Sequence, residues 1–194
     1  SMKKRTPSGA LPVGVVLTLS ASGSEMSSSC VITNEEAQLK RGYTTPYHRP
    51  LFAICNPELT YTVSRFQTGC GIVDIMMHTM ERYFSNSPDT DLTDRIAEGL
   101  LKSVVDAGKV AVERPEDYEA RATLMWASSL SHNDLTGLGR EVFMVCHQLE
   151  HELSGMYDRV AHGAGLSVVW PAWAKYVYTR APKRFAQYAN RVWG

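Results

Sequence analysis

Apolar and polar positions are arranged in two different ways along this chain, and the change falls near residue 60. Before it come short apolar runs, at residues 13–19, 28–33 and 50–55, separated by clusters of Gly, Ser, Pro and Asn. Runs of that length between turn-forming residues predict strands. After it, apolar positions recur every three or four residues, the period of a helix with one buried face. Residues 66–84 carry that period. Residues 90–112 carry it again through Leu92, Ile96, Leu100, Leu101, Val104 and Val105, with Asp89 or Asp91 as the cap. Pro115-Glu116-Asp117 opens a third helix that runs on to His132. Gly137 and Gly139 mark a break before a fourth, residues 141–157, whose apolar stripe is Val142, Val145, Leu149, Leu153 and Met156. Residues 165–178 form a fifth, in which Pro171 either kinks the helix or starts a new one. A last helical pattern begins at Pro182. Residues 1–62 thus read as a β-rich or α/β piece and residues 63–194 as an all-helical one.

Composition narrows the function classes. The chain has 194 residues, is 44% hydrophobic, and carries 20 acidic against 20 basic side chains. That is an ordinary globular balance, enough for one domain or two small ones. A net charge of zero leaves no electrostatic footprint for nucleic acid, and no apolar run approaches the roughly 20 residues of a membrane helix. Cys30, Cys55, Cys70 and Cys146 are widely spaced, without a Cys-x-x-Cys pair, and read as reduced thiols of a cytoplasmic protein. The leading Ser1-Met2 reads as an expression remnant, and the basic Lys3-Lys4-Arg5 is too short to be an address.

Candidate chemistry sits in the helical piece. Asp74 and His78 are four apart, so on a helix they leave the same face about 6 Å apart along the axis and reach one ion. His147 and His151 repeat that spacing, and His162 follows after a short break. A carboxylate with two or three imidazoles suits Fe(II) or Zn(II) better than Ca or Mg, which prefer oxygen donors. Pairs at this spacing also make plain surface hydrogen bonds. An open face of Asp74, His78 and His147 would alternatively suit a non-haem iron oxygenase or a metal hydrolase. In the β-rich piece, Leu17 to Thr33 crowds small hydroxyl residues and Gly23 between two strands, where backbone and hydroxyls could approach a phosphate or ribose. Such loops are also common solvated turns. Gly69-x-Gly71 lacks the third glycine of a dinucleotide fingerprint. Trp126, Met144, Trp170 and Trp173 read as helix packing, and Lys40 as a solvated charge in the turn Glu35 to Arg41.

The motifs converge in order: Thr18-x-Ser20-x-Ser22-Gly23-Ser24-Glu25, Gly71-x-x-Asp74-x-x-x-His78-x-x-Glu81-x-Tyr83, Ala120-Arg121-Ala122, His147-x-x-x-His151 and Ala161-His162-Gly163. The chain resembles the iron-containing (group III) alcohol dehydrogenases. Residues 48–63 and 151–157 are similar to the butanol dehydrogenase and NADP-dependent aldehyde reductase branch. The resemblance implies a dehydroquinate synthase-like fold, truncated at both ends: residues 1–62 would end the nucleotide-binding α/β domain and residues 63–194 would form the helical metal-binding domain. No Gly-Gly-Gly-Ser-type pyrophosphate loop is present, so the chain is expected to be a fragment lacking the amino-terminal part, and an inactive remnant is an alternative to an active enzyme.

The resemblance also assigns roles. Asp74, His78, His147 and His162 match the metal ligands of the family, for Fe(II) or Zn(II). His151 matches a histidine near ion and substrate that contacts substrate or relays a proton. Thr18, Ser20, Ser22, Gly23, Ser24, Ser27 and Lys40 match contacts to NADP or NAD, and Leu59, Thr60 and Thr62 match the nicotinamide ribose side. The connection from His151 to His162 is one residue longer than in relatives. The expected reaction is hydride transfer between a nicotinamide and a small primary alcohol or aldehyde, in a homodimer. Asp74 as sole anionic ligand would leave the site with net positive charge.

Overall fold

The computed structural model describes residues 7–194. The Ser1-Met2 and Lys3-Lys4-Arg5 readings lie outside the described residues. The strands come first. β1 (Gly14–Val16) pairs in parallel with β4 (Phe52–Ile54), Val15 opposite Ala53. Between them, β2 (Ser29–Asn34) and β3 (Leu39–Thr44) form an antiparallel hairpin with Ser29 opposite Thr44. The predicted strands at 13–19 and 50–55 are therefore trimmed to three residues each. β3 went unpredicted because its residues are exposed or half-buried, so no hydrophobic alternation marks it. Lys40 lies in this strand, not in a turn.

Six α-helices follow: α1 (Arg65–Tyr83), α2 (Asp91–Glu113), α3 (Tyr118–His132), α4 (Val145–Met156), α5 (His162–Val177) and α6 (Pro182–Tyr188), which continues into a π-turn at Ala189–Trp193. α1 is central, packing against α2, α3 and α5. Its two sides feed two cores. Ile75 meets Val104, Ala111, Leu124 and Ala127 on one, and Met77 and Met80 meet Leu101, Cys146 and Leu166 on the other. Ser64 caps α1 by accepting from the Gln67 amide, and Asp117 caps α3 by accepting from Ala120, so the third helix starts three residues later than Pro115.

Other expectations need correction. The cap of α2 is Thr90; neither Asp89 nor Asp91 holds that place. Of the two readings of Pro171, the start of a new helix is ruled out, because α5 runs from 162 to 177 with Pro171 inside it. α4 begins four residues later than predicted, and its apolar stripe faces outward: Leu149 is 51% exposed, Leu153 40% and Met156 58%, while Cys146, His147 and Glu150 are buried. A polar cluster inside claims the opposite face of that helix. Trp126 is likewise 59% exposed. Trp170 and Trp173 do pack, stacked 5.1 Å apart beside Phe84.

Candidate metal centre

Helical spacing brings Asp74 and His78 to one buried face of α1, with the His78 Nδ1 3.2 Å from Asp74 Oδ1 and 3.0 Å from the Asp74 carbonyl. His147 enters from the first turn of α4 and His162 from the first residue of α5. Their Nε2 atoms lie 3.4 and 3.6 Å from the same Asp74 oxygen. Asp74, His147 and His162 offer donor atoms all within 4.8 Å of one another. His78 stands beside them, its ring 4.3 Å from that of His147, but its Nδ1 is turned to Asp74. The trio that gathers is itself a two-histidine, one-carboxylate set, with His162 in the place that the oxygenase or hydrolase alternative gave to His78.

The donor set fits a divalent ion. Asp74 Oδ1 and His147 Nε2 are buried and make no well-formed hydrogen bond among the described residues. Orphaned polar atoms of that kind are costly unless something charged completes them. One carboxylate oxygen and imidazole nitrogens from three helices make a mixed N/O site suited to Fe(II) or Zn(II). The link between His151 and His162 passes through the turn after α4, where the Val160 amide donates to the Tyr157 carbonyl, and His162 reaches Asp74.

Two carboxylates escaped prediction as part of the site. Glu81 on α1 accepts from His147 Nδ1, and Glu150 on α4 accepts from His162 Nδ1. Glu81 stood in a recognised motif; Glu150 carried no signal, since a lone acid between two histidines on a helix reads as solvated. The centre therefore holds three buried carboxylates, with the buried Arg82 guanidinium donating to the His78 carbonyl at 2.7 Å.

Burial works against charge on Asp74, but His78, His147 and His162 hold its carboxyl far below the usual range. Burial also opposes charge on His147, yet Asp74 and Glu81 lift it to about 9. Burial lowers His78 despite Asp74. His151 falls to about 4 through burial, then His162 and Lys40, so it is neutral near pH 7 and the relay argument from an unperturbed imidazole does not apply. His132, from the end of α3, was not foreseen. Its ring lies 4.2 Å from His78, and burial with His78 and Arg82 takes it to about 3.

These residues floor a cavity of about 830 Å³, a size that suits a cofactor with a small substrate. His78, His132, His147, His151 and His162 line it together with Ser22, Ser24, Ser27 and Lys40. Lys40 also donates to Ser154 Oγ at 2.8 Å, tying the hairpin to α4. Gly23 lies just behind the wall at φ +57°, so close to α3 that a Cβ would meet the Ser128 carbonyl at 2.5 Å. Thr18 is exposed and Ser20 points its hydroxyl inward; neither lines the cavity. Leu59, Thr60 and Thr62 lie outside it too. Thr60 is buried and donates to the Pro57 carbonyl at 2.7 Å, while Leu59 and Thr62 are exposed.

A buried carboxylate and imidazoles mounted on three helices, beside a serine-lined cavity, form a candidate metal site in a chain of mixed α/β and helical kind. Residues 68–194 match the family described as "Fe-containing alcohol dehydrogenase family, C-terminal", and residues 1–57 match "Iron-containing alcohol dehydrogenase". The chain belongs to the iron-containing alcohol dehydrogenase family. It is 45% identical over 95% of its length to NADH-dependent butanol dehydrogenase A of Clostridium acetobutylicum, covering 47% of that protein. To the NADPH-dependent aldehyde reductase YqhD of Escherichia coli it is 38% identical, again over 95% of its own length and 47% of the relative. The crystal structure of NADH-dependent butanol dehydrogenase A from Thermotoga maritima superposes with a TM-score of 0.95 at 39% identity, over 98% of this chain and 48% of that one. The fold is that of the iron-containing alcohol dehydrogenases, and the chain spans about half the length of the relatives it matches.

Proposed function

We propose that this chain carries the metal-binding half of an NAD(P)(H)-dependent oxidoreductase that interconverts a small primary alcohol and its aldehyde. The observation that carries the reading is the convergence of His147 Nε2 and His162 Nε2 on a single buried oxygen of Asp74, at the floor of the large cavity. Asp74, His78, His147 and His162 would hold Fe(II) or Zn(II). Such an ion supplies Lewis-acid polarisation of the substrate oxygen, and a nicotinamide supplies or takes the hydride.

The chain's own residues do the rest. The helices exclude water from the floor and fix where the reacting oxygen sits. Ser22, Ser24, Ser27 and Lys40 line the same cavity as the histidines and would offer hydroxyls and a positive charge to a phosphate or ribose. His151, beside His162 with ring centres 5.2 Å apart, lines the same cavity and would contact the substrate there. The relatives named as butanol dehydrogenase and aldehyde reductase support that substrate class. Four free cysteines suit a reducing, cytoplasmic setting, and no helix among the described residues is long and apolar enough to cross a membrane.

The test uses the longest reading frame that contains this chain. Chelation should stop butanal reduction, followed by NADH or NADPH absorbance, and Fe(II) or Zn(II) should restore it. Oxygen consumption without nicotinamide dependence would overturn the reading in favour of an oxygenase.

A further inference from the structure

We infer that Glu81 and Glu150 are positioning residues of the metal centre, each holding one ligand imidazole by its Nδ1 so that the Nε2 atoms of His147 and His162 converge on Asp74. The inference rests on the metal reading of Asp74, His147 and His162 and deepens it.

The geometry forms a closed ring through three helices. α1 carries Asp74 and, two turns on, Glu81. Glu81 reaches the start of α4, where Oε1 accepts the Cys146 amide at 2.6 Å, Oε2 accepts the His147 amide at 3.2 Å, and Oε2 also takes the His147 ring. Met144, the residue in the cap position of α4, makes no side-chain cap bond, so a carboxylate from another helix does that work. The backbone and ring of His147 are thereby fixed by one group. One turn further along α4, Glu150 takes the His162 ring at the start of α5. His162 closes the circuit at Asp74, 3.6 Å away. Each helix orients the next helix's ligand.

Glu150 also has no ordinary structural reason to be where it is. Its side chain is fully buried, and its Oε1 finds no hydrogen-bond partner among the described residues. α5 makes room for it with Gly165, where a Cβ would meet the Glu150 Cγ and Oε1 at 2.8 Å. A buried acid with an idle oxygen costs stability, and an apolar residue would fill that space more cheaply. A carboxylate on Nδ1–H, by contrast, sets the tautomer, leaves the Nε2 lone pair facing the ion and raises its basicity. That function accounts for Glu150 as helix capping cannot.

The experiment is Co(II) titration of the chain, read by its visible ligand-field bands, with Zn(II) competition and thermal unfolding in chelator alongside. Glu150→Gln should weaken ion binding roughly 10- to 100-fold and alter the bands, while metal-free unfolding moves little. Glu150→Leu should weaken binding further, because glutamine keeps an acceptor for Nδ1–H and leucine does not. Glu81→Gln should do the same, with a loss of metal-free stability from the weakened α4 start. If Asp74→Ala loses the ion while both Glu150 variants keep wild-type affinity and spectrum, the positioning role is overturned and the metal reading stands. If wild type and Asp74→Ala bind Co(II) alike, both fall.

Discussion

Helices α2 and α4 bury opposite kinds of residue. α2 lies against α1 and α3 through Leu100, Leu101 and Val104, and its buried acids are matched. Asp94 accepts from Arg140, Arg184 and Gln187, and Glu98 accepts from Tyr83 and Gln187. α4 keeps Leu149, Leu153 and Met156 outside and turns Cys146, His147 and Glu150 inward. The first helix is held by the removal of apolar surface from water. The second is held by what its polar face binds, so its stability is tied to the centre it helps to build.

The largest effect should come from the polar face of α4. His147→Ala, and equally Asp74→Ala opposite it, should cut ion retention by well over the roughly 100-fold limit for an orienting residue. Elemental analysis after gel filtration reads it, and unchanged metal in either variant would sink the ligand assignment. Next comes the apolar face of α2. Leu101→Ala removes a fully buried side chain from the cluster of Met77, Met80 and Leu166, and should cost about 2–5 kcal/mol in denaturant unfolding. Ion affinity per folded molecule should hold; if it falls as far as in His147→Ala, the two helices are not separable as described.

A smaller change tests the acids of α2. Burial alone would raise the Asp94 carboxyl, but Arg184 and Gln187, with the Arg140 charge, hold it below its ordinary value. A depressed folded pKa gives stability that is fully present above the unfolded value of about 3.9 and lost as pH falls through the folded one. Asp94→Asn should therefore cost about 1–3 kcal/mol near pH 7, and the gap to wild type should close in acid. A gap that widens as pH falls below 4 would contradict the pairing. The smallest effect belongs to the outer face of α4: Leu153→Ala should shift stability by less than about 0.5 kcal/mol. A loss of 2 kcal/mol there would mean that the stripe is covered in solution.

Apolar periodicity located all the main helices, because most of them do bury one face against α1. It misplaced the inside of α4 because periodicity reports where apolar residues recur, and the competing polar face draws its partners from α1 and α5, far away in sequence. Asp74 and His78 were legible since four residues on one helix fix their own geometry. His162 was a candidate from its place soon after the second pair, but no local geometry fixed it, and the family motifs made it a ligand. Glu81 and Glu150 were not legible as site residues, as nothing local separates an acid on imidazole from an acid in water. β3 escaped for a related reason: Lys40 and Arg41 sit in a strand with no apolar face to declare it. Ser22, Ser24, Ser27 and Lys40 line the cavity, whereas Thr18, Ser20, Leu59, Thr60 and Thr62 lie apart from it.

Gly163 follows His162 directly, and a Cβ there would sit 2.1 Å from the Cys70 carbonyl oxygen, one turn before Asp74. α1 and α5 touch backbone to backbone at the level of the ligands, so even alanine would wedge them apart and carry His162 away from Asp74. Ion preference depends in part on how wide a gap the donors leave. In the proposed metal site, the missing methyl group at Gly163 would help to set that gap, so Gly163→Ala should disturb ion retention although it changes no donor.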